Sequence, residues 1–175
     1  MTSIARSRVE VGEKTNEIPE IKRLLEPMNI AGRVVTADAM HTQRETARYI
    51  VEEKKAHYLF TVKDNQKTLH AEIAALGNEG FSPVHKTMDK GHGRIEVRTI
   101  QTSTALNTDL NFPYCGQVFR LTRERFHIVS RKREIETVYG ITSLTPQEAS
   151  QERLLRFYPV KRASSYHNLS HHQKN

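Results

Sequence analysis

The chain has 175 residues, of which 37% are hydrophobic and 27% charged, the size of one domain or of one domain with a small insertion. Its formal net charge is +7, and the excess is uneven: residues 1–80 hold 12 basic and 12 acidic side chains, residues 81–175 hold 15 and 8. A single cysteine, Cys115, excludes an internal disulfide, no apolar run nears the roughly 20 residues that a bilayer requires, and the first residues lack a signal-peptide core. A cytoplasmic protein that makes no use of a membrane is expected. The localised basic excess points to a polyanion such as nucleic acid, the alternative being a solvated basic surface.

Arg8-Val9-Glu10-Val11 reads as a short strand ended by Gly12. Asn16 is placed to cap a helix with Pro19 in its first turn, and Ile21, Leu24, Leu25 and Met28 share one helical face. Arg33 to Ala37 is β-branched and apolar and reads as a buried strand, with Asp38 at its C-terminal end. Thr42-Gln43-Arg44-Glu45 fits a capping box for a helix that turns Ala47, Ile50 and Val51 inward and ends near Lys54-Lys55. His57 to Val62 is the next strand. Thr68 is placed to cap a third helix carrying Leu69, Ile73 and Leu76. This alternation predicts an α/β fold with a parallel sheet covered by helices. Ligands of such sheets gather at the C-terminal ends of the strands, where Asp38 and Lys63-Asp64-Asn65-Gln66 fall.

After Gly80 the pattern becomes strand-like. Arg94 to Thr99, Gln117 to Arg125 and Glu134 to Ser143 are expected strands, with Arg131-Lys132-Arg133 as the turn between the last two. They form an expected antiparallel insertion with a basic surface. Thr145-Pro146-Gln147-Glu148 has the cap, first-turn proline and capping-box Glu of a helix start. From Arg156 to Asn175 there is no acidic residue and little apolar periodicity, so this tail is expected to lack order.

Asp38 is the most informative single residue. A carboxylate closing a buried strand suits a hard cation such as Mg²⁺, and two-metal phosphoryl transfer gathers several such groups at one spot. The plainer alternative is a cap for the segment that follows. Asp64 either faces Asp38 or makes a local turn. Lys63 is a candidate phosphate contact. His92, between Gly91 and Gly93, is a candidate nucleic-acid contact, since the glycines permit a close backbone approach, the alternative being a surface turn. Arg94, Arg98, Arg123, Arg131, Lys132 and Arg133 are candidate nucleic-acid contacts of the non-specific, salt-sensitive kind. His167, His171, His172 and Cys115 lack the spacing of a zinc site, and no Walker loop, G-x-G-x-x-G or G-x-S-x-G motif occurs.

Five stretches in order resemble one family. They are Val11-Gly12-Glu13-Lys14-Thr15-Asn16-Glu17-Ile18, Val34-Val35-Thr36-Ala37-Asp38-Ala39-Met40-His41-Thr42-Gln43, Tyr58-Leu59-Phe60-Thr61-Val62-Lys63-Asp64-Asn65-Gln66, Asp89-Lys90-Gly91-His92-Gly93-Arg94-Ile95-Glu96 and Thr142-Ser143-Leu144-Thr145. Together, over about residues 8–155, they resemble the ISAs-type insertion-sequence transposases, also called H-repeat-associated proteins, of the DDE superfamily. The resemblance implies a ribonuclease-H-like core, Mg²⁺ dependence and a triad of two Asp and one Glu that cuts transposon ends and joins them to target DNA. Asp38 matches the second Asp, as catalytic residue and metal ligand. The family's first Asp lies upstream of the Val-Gly-Glu-Lys segment. Its Glu lies in a His-Trp-x-Ile-Glu-Asn helix, where this chain reads Arg156-Phe157-Tyr158-Pro159-Val160-Lys161-Arg162 and contains no Trp.

The implied chain is truncated at both ends and does not cut DNA alone. Its expected parts are an incomplete core (1–80), a basic β insertion (81–144), the start of the final core helix (145–155) and a tail (156–175) whose lack of acidic residues fits out-of-frame translation. DNA, and a full-length transposase or a second copy, are the implied partners. The alternative is a non-catalytic DNA-binding or transposase-interacting remnant.

Overall fold

The computed structural model describes residues 17–37, 39–63, 66–91 and 93–158. The elements run α1 (Glu17–Leu25), β1 (Val34–Ala37), a 3₁₀ turn (Ala39–His41), α2 (Arg44–Arg48) continued by a π turn (Tyr49–Glu53), β2 (His57–Val62), α3 (Lys67–Ala75), β3 (His85–Gly91), β4 (Arg94–Ser103), β5 (Gln117–His127), β6 (Arg133–Thr142) and α4 (Gln151–Phe157). The expected strand at Arg8–Val11 lies outside the described residues, as does most of the expected tail.

All six strands form one sheet in the order β1-β2-β6-β5-β4-β3. β1 and β2 pair in parallel, from Val34 opposite His57 to Ala37 opposite Phe60. Parallel neighbours need a crossover, and residues 39–53 supply it. Every other pair is antiparallel. The expected parallel sheet is therefore confined to β1 and β2 among the described residues, and the fold is α/β with a mixed sheet. The reason is long-range: after α3 the chain makes hairpins instead of further crossovers. The last strand, β6, then returns to pair with β2, Leu59 opposite Thr142 and Val62 opposite Tyr139. The antiparallel hairpins thus extend the same sheet.

β2 is the strand the fold is built around. Its apolar run is buried from Tyr58 to Val62, and each face feeds a different layer. Tyr58, Phe60 and Val62 pack with Ile21 and Leu25 of α1, Ala47 and Ile50 of the second helix, and Leu69 and Ile73 of α3. Leu59 turns the other way, to Ile100, Phe119, Leu121 and the α4 residues Leu154 and Leu155. Fully burying a side chain of this kind contributes about 1.5–3 kcal/mol. The sheet is thus sandwiched near β2, with α1, α2 and α3 on one face and α4 on the other.

Several local expectations change. β1 is a half-buried edge strand, since it has a neighbour on one side only among the described residues. The Thr42 capping box does not form: its buried hydroxyl donates instead to the Thr61 carbonyl at 2.6 Å, and Gln43 takes the N-cap position with no side-chain cap bond. A tertiary bond to the core strand has outcompeted a local one. Gln66, not Thr68, precedes α3, and its side-chain amide donates to the Thr42 carbonyl at 2.9 Å. At Thr145 both the backbone N–H and the hydroxyl donate to the Glu148 carboxylate, at 2.8 and 3.0 Å. That holds Glu148 below the usual carboxylate range. These contacts close only one turn, and the helix begins at Gln151, capped by Ser150. Its end at Phe157, two residues before Pro159, fits the expected interruption there.

Candidate functional site

Asp38 follows Ala37, the last residue of β1, and precedes the 3₁₀ turn at Ala39. Asp38, Asp64 and His92 lie outside the described residues. No group of three or more His, Cys, Asp or Glu suited to a metal ion occurs among the described residues. Lys63 is exposed and directly follows β2. β1 and β2 are parallel neighbours, so Ala37 and Val62, which precede Asp38 and Lys63 in sequence, close their strands at the same end of the sheet.

The hairpins project past that end. β2 stops at Val62, opposite Tyr139, whereas β6 begins six residues earlier at Arg133. At about 3.4 Å per residue, the β5–β6 hairpin reaches roughly 20 Å beyond the end of β2. Arg131 lies in its turn with a left-handed φ of 54°, a conformation uncommon for a residue with a side chain. Lys132 pairs with Glu134 at 3.2 Å, and Arg133 with Glu124 at 2.7 Å. Both basic side chains are mostly exposed, at 69% and 60%. Their carboxylate partners are held below the usual range by these cations. The neighbouring β3–β4 turn sits at the same end, because the Ile128 N–H donates to the Gly93 carbonyl at 2.9 Å.

The other three arginine candidates occupy a different environment. In the β4–β5 register Glu96 lies opposite Arg125 and Arg98 opposite Arg123, all on the face that carries α4 further along. Glu96 is 4% exposed and is surrounded by cations. Arg123 Nε approaches it at 3.4 Å, Arg125 Nε at 3.5 Å, Arg98 Nε at 3.8 Å and Arg94 Nη2 at 3.9 Å. These are ion pairs at distances longer than hydrogen bonds. An outer set of acids completes the balance: Asp89 on Arg98, Glu136 on Arg123 and Arg125, and Glu134 on Arg125. The Arg123 guanidinium also lies 5.8 Å from the centre of the Tyr158 ring. The structure thus separates the basic candidates: Lys63 after β2, Arg131, Lys132 and Arg133 at the hairpin tip, and Arg94, Arg98 and Arg123 in a charge-balanced network.

Sequence reasoning missed Glu96 as the centre of that network. The signal was present, since Arg94-Ile95-Glu96-Val97-Arg98 puts the three charged residues on one strand face. It also missed the exposed aliphatics of the hairpin tip, Ile128 at 43% and Val129 at 93%. No helix among the described residues is long and apolar enough to cross a membrane.

With this geometry in place, three comparisons bear on the chain. The Transposase DDE domain family matches residues 5–162. Among curated relatives, the chain is 34% identical over 103 residues to "H repeat-associated putative transposase YhhI" of Escherichia coli (strain K12), covering 56% of this chain and 27% of the relative. It is 33% identical over 103 residues to "H repeat-associated putative transposase YbfD" of the same strain, covering 56% and 40%. It is 39% identical over 124 residues to "Putative transposase YncI" of Escherichia coli O157:H7, covering 65% and 30%. The matches span 27% to 40% of the length of these relatives. No solved structure matches.

Proposed function

The chain belongs to the Transposase DDE domain family, and on that premise we propose that it is the DNA-holding part of an insertion-sequence transposase and supplies one metal-binding carboxylate, Asp38. One observation carries the reading. β1 ends at Ala37 and its parallel neighbour β2 at Val62, Asp38 and Lys63 are the next residues in sequence, and ligands of parallel strands gather at that end, which supports the reading. In this reading the pair belongs to a ribonuclease-H-like core, with the β3–β6 hairpins as the insertion. Mg²⁺ is the hard divalent ion an Asp at this position suits, and bound there it would stabilise charge on a phosphate oxygen.

Strand cleavage needs further carboxylates beside Asp38. Within these residues the family resemblance matches only that one. The exposed cations, Lys63, Arg131, Lys132 and Arg133, contact DNA phosphates, whereas Arg94, Arg98 and Arg123 act through the ion network that shapes the hairpins. A full-length transposase of the same element is the protein partner that would complete the carboxylate set.

The test is Mn²⁺- or Mg²⁺-dependent scission of duplex DNA carrying the source element's ends, by wild type and Asp38→Ala, each alone and mixed with that full-length transposase. Neither chain is expected to cut alone, and wild type is expected to alter scission in the mixture more than Asp38→Ala does. Scission by wild type alone that is lost in Asp38→Ala would overturn the need for outside carboxylates. Identical behaviour of the two chains in the mixture would remove Asp38 from the reading.

A further inference from the structure

We infer that the β5–β6 turn is a duplex-engaging tip, in which Arg131, Lys132 and Arg133 clamp DNA phosphates while Ile128 and Val129 press into the groove between them. The inference rests on the DNA reading above and adds to it the element and the mode of contact.

The apolar pair is the unexplained feature. Val129 is 93% exposed and Ile128 43%, at a turn where solvation alone would favour small polar residues. Phe126, two residues before Ile128 at the end of β5, is also 37% exposed. None of the three belongs to either core cluster. The turn is nevertheless held in shape. The His127 N–H donates to the Lys132 carbonyl at 2.9 Å, the Ile128 N–H ties the tip to the β3–β4 turn, and Arg131 adopts its left-handed conformation between them.

The adjoining charge identifies the partner. Three successive cations follow the aliphatic pair within four residues. Arg131 makes no ion pair among the described residues, and Lys132 and Arg133 are held only by exposed pairs. Exposed pairs of this sort are worth little, so phosphate oxygens can replace the carboxylates at small cost. Apolar side chains inserted beside phosphate-clamping cations are a recognised way to hold and bend a duplex. The reach also agrees. The tip stands roughly 20 Å beyond the end of β2, about six base pairs along a duplex at ~3.4 Å each. A duplex running along the strand direction past the end of β2 would therefore meet the tip within about half a turn. An anionic membrane shares part of this chemistry, but two aliphatic side chains offer it little buried area.

The experiment measures binding of the full chain to a fluorescent duplex with 2-aminopurine at successive positions, across a salt series, with phosphatidylserine vesicles in a parallel arm. The variants are Ile128→Ser/Val129→Ser and Arg131→Ala/Lys132→Ala. Both change exposed residues, so melting midpoints close to wild type are expected and serve as the folding check. The aliphatic variant should lose affinity about tenfold at unchanged salt slope, and should lose any 2-aminopurine brightening. The cation variant should lower the slope of log K against log salt by about 0.9 per lost contact, up to two. Wild-type affinity in both variants, with wild type itself binding duplex, would overturn the tip and leave the DNA reading standing. Binding to vesicles but not to duplex would overturn the tip as a DNA element in favour of a membrane contact. Absence of duplex binding by folded wild type at low salt would overturn both.

Discussion

Gly140→Ala is expected to destabilise the chain by about 3 kcal/mol or more, the upper end of what overpacking a core costs. Gly140 lies in β6 between Phe119 of β5 and Thr61 of β2. A Cβ there would sit 2.1 Å from Phe119 Cζ and 2.5 Å from the Phe60 carbonyl oxygen. The ring is able to move, but the carbonyl belongs to the most buried strand of the sheet and is not. The absent side chain lets the Phe119 ring lie across β6 and fill the layer under α4. Chemical denaturation checks the effect. Adding Phe119→Leu to Gly140→Ala should recover part of the loss, because it removes the nearer clash, and should not recover all of it, because the backbone contact remains. Full stability in Gly140→Ala alone would mean that β5, β6 and β2 are not packed in this register.

Glu96→Ala is expected to cost about 3–5 kcal/mol, the range for removing one partner from a buried charge cluster. Four guanidinium groups surround this carboxylate within 3.9 Å, and the side chains of Glu96 and Arg123 are 5% and 3% exposed. Without Glu96, the arginines on β4 and β5 face one another with only the more exposed acids of β3 and β6 to offset them. Glu96→Gln keeps the shape and removes the charge, so it should lose much of the same stability if repulsion is the cause. Sulfate or phosphate should restore stability to Glu96→Ala more than chloride does at equal ionic strength, by occupying the vacated anionic position, and should help Glu96→Gln less, because its amide fills that position. Thermal melts in matched salts measure this. Variants as stable as wild type would show that the network contributes nothing net.

Much of the sheet was legible because burial leaves a pattern. The uninterrupted His57–Val62 run marked the most buried strand, and the β-branched Val34–Ala37 segment marked its parallel neighbour. The basic turn at Arg131 was legible from a charge cluster between two alternating stretches. β3 was not, since His85–Gly91 is an edge strand whose Lys86, Asp89 and Lys90 are exposed. Edge strands carry charge to discourage further pairing, and that charge disguises them as loop. The overall topology was illegible for another reason. β6 joins β2 through contacts about 80 residues apart in sequence, among them the Thr142 hydroxyl donating to the Tyr58 carbonyl at 2.6 Å. No local signal reports such a partner. Thr42 shows the same limit on a small scale: a sound capping sequence was overruled by a hydroxyl bond to Thr61.

For the site, spacing alone left Asp38 divided between a cap and a metal ligand, and only the family motifs favoured the second. The candidate DNA contacts were legible as charge but not as accessibility. Charge counting does not distinguish Arg123, locked beside Glu96, from Lys132, open at the tip.

The central claim, that this chain holds DNA through a small set of exposed cations, is tested most directly by the affinity of the folded chain for duplex DNA measured between 50 and 200 mM salt. With two to four phosphate contacts, log K should fall against log salt with a slope between about −1.8 and −3.6, from roughly −0.9 per contact. An affinity indifferent to salt, or no saturable binding at the low-salt end, would contradict the account.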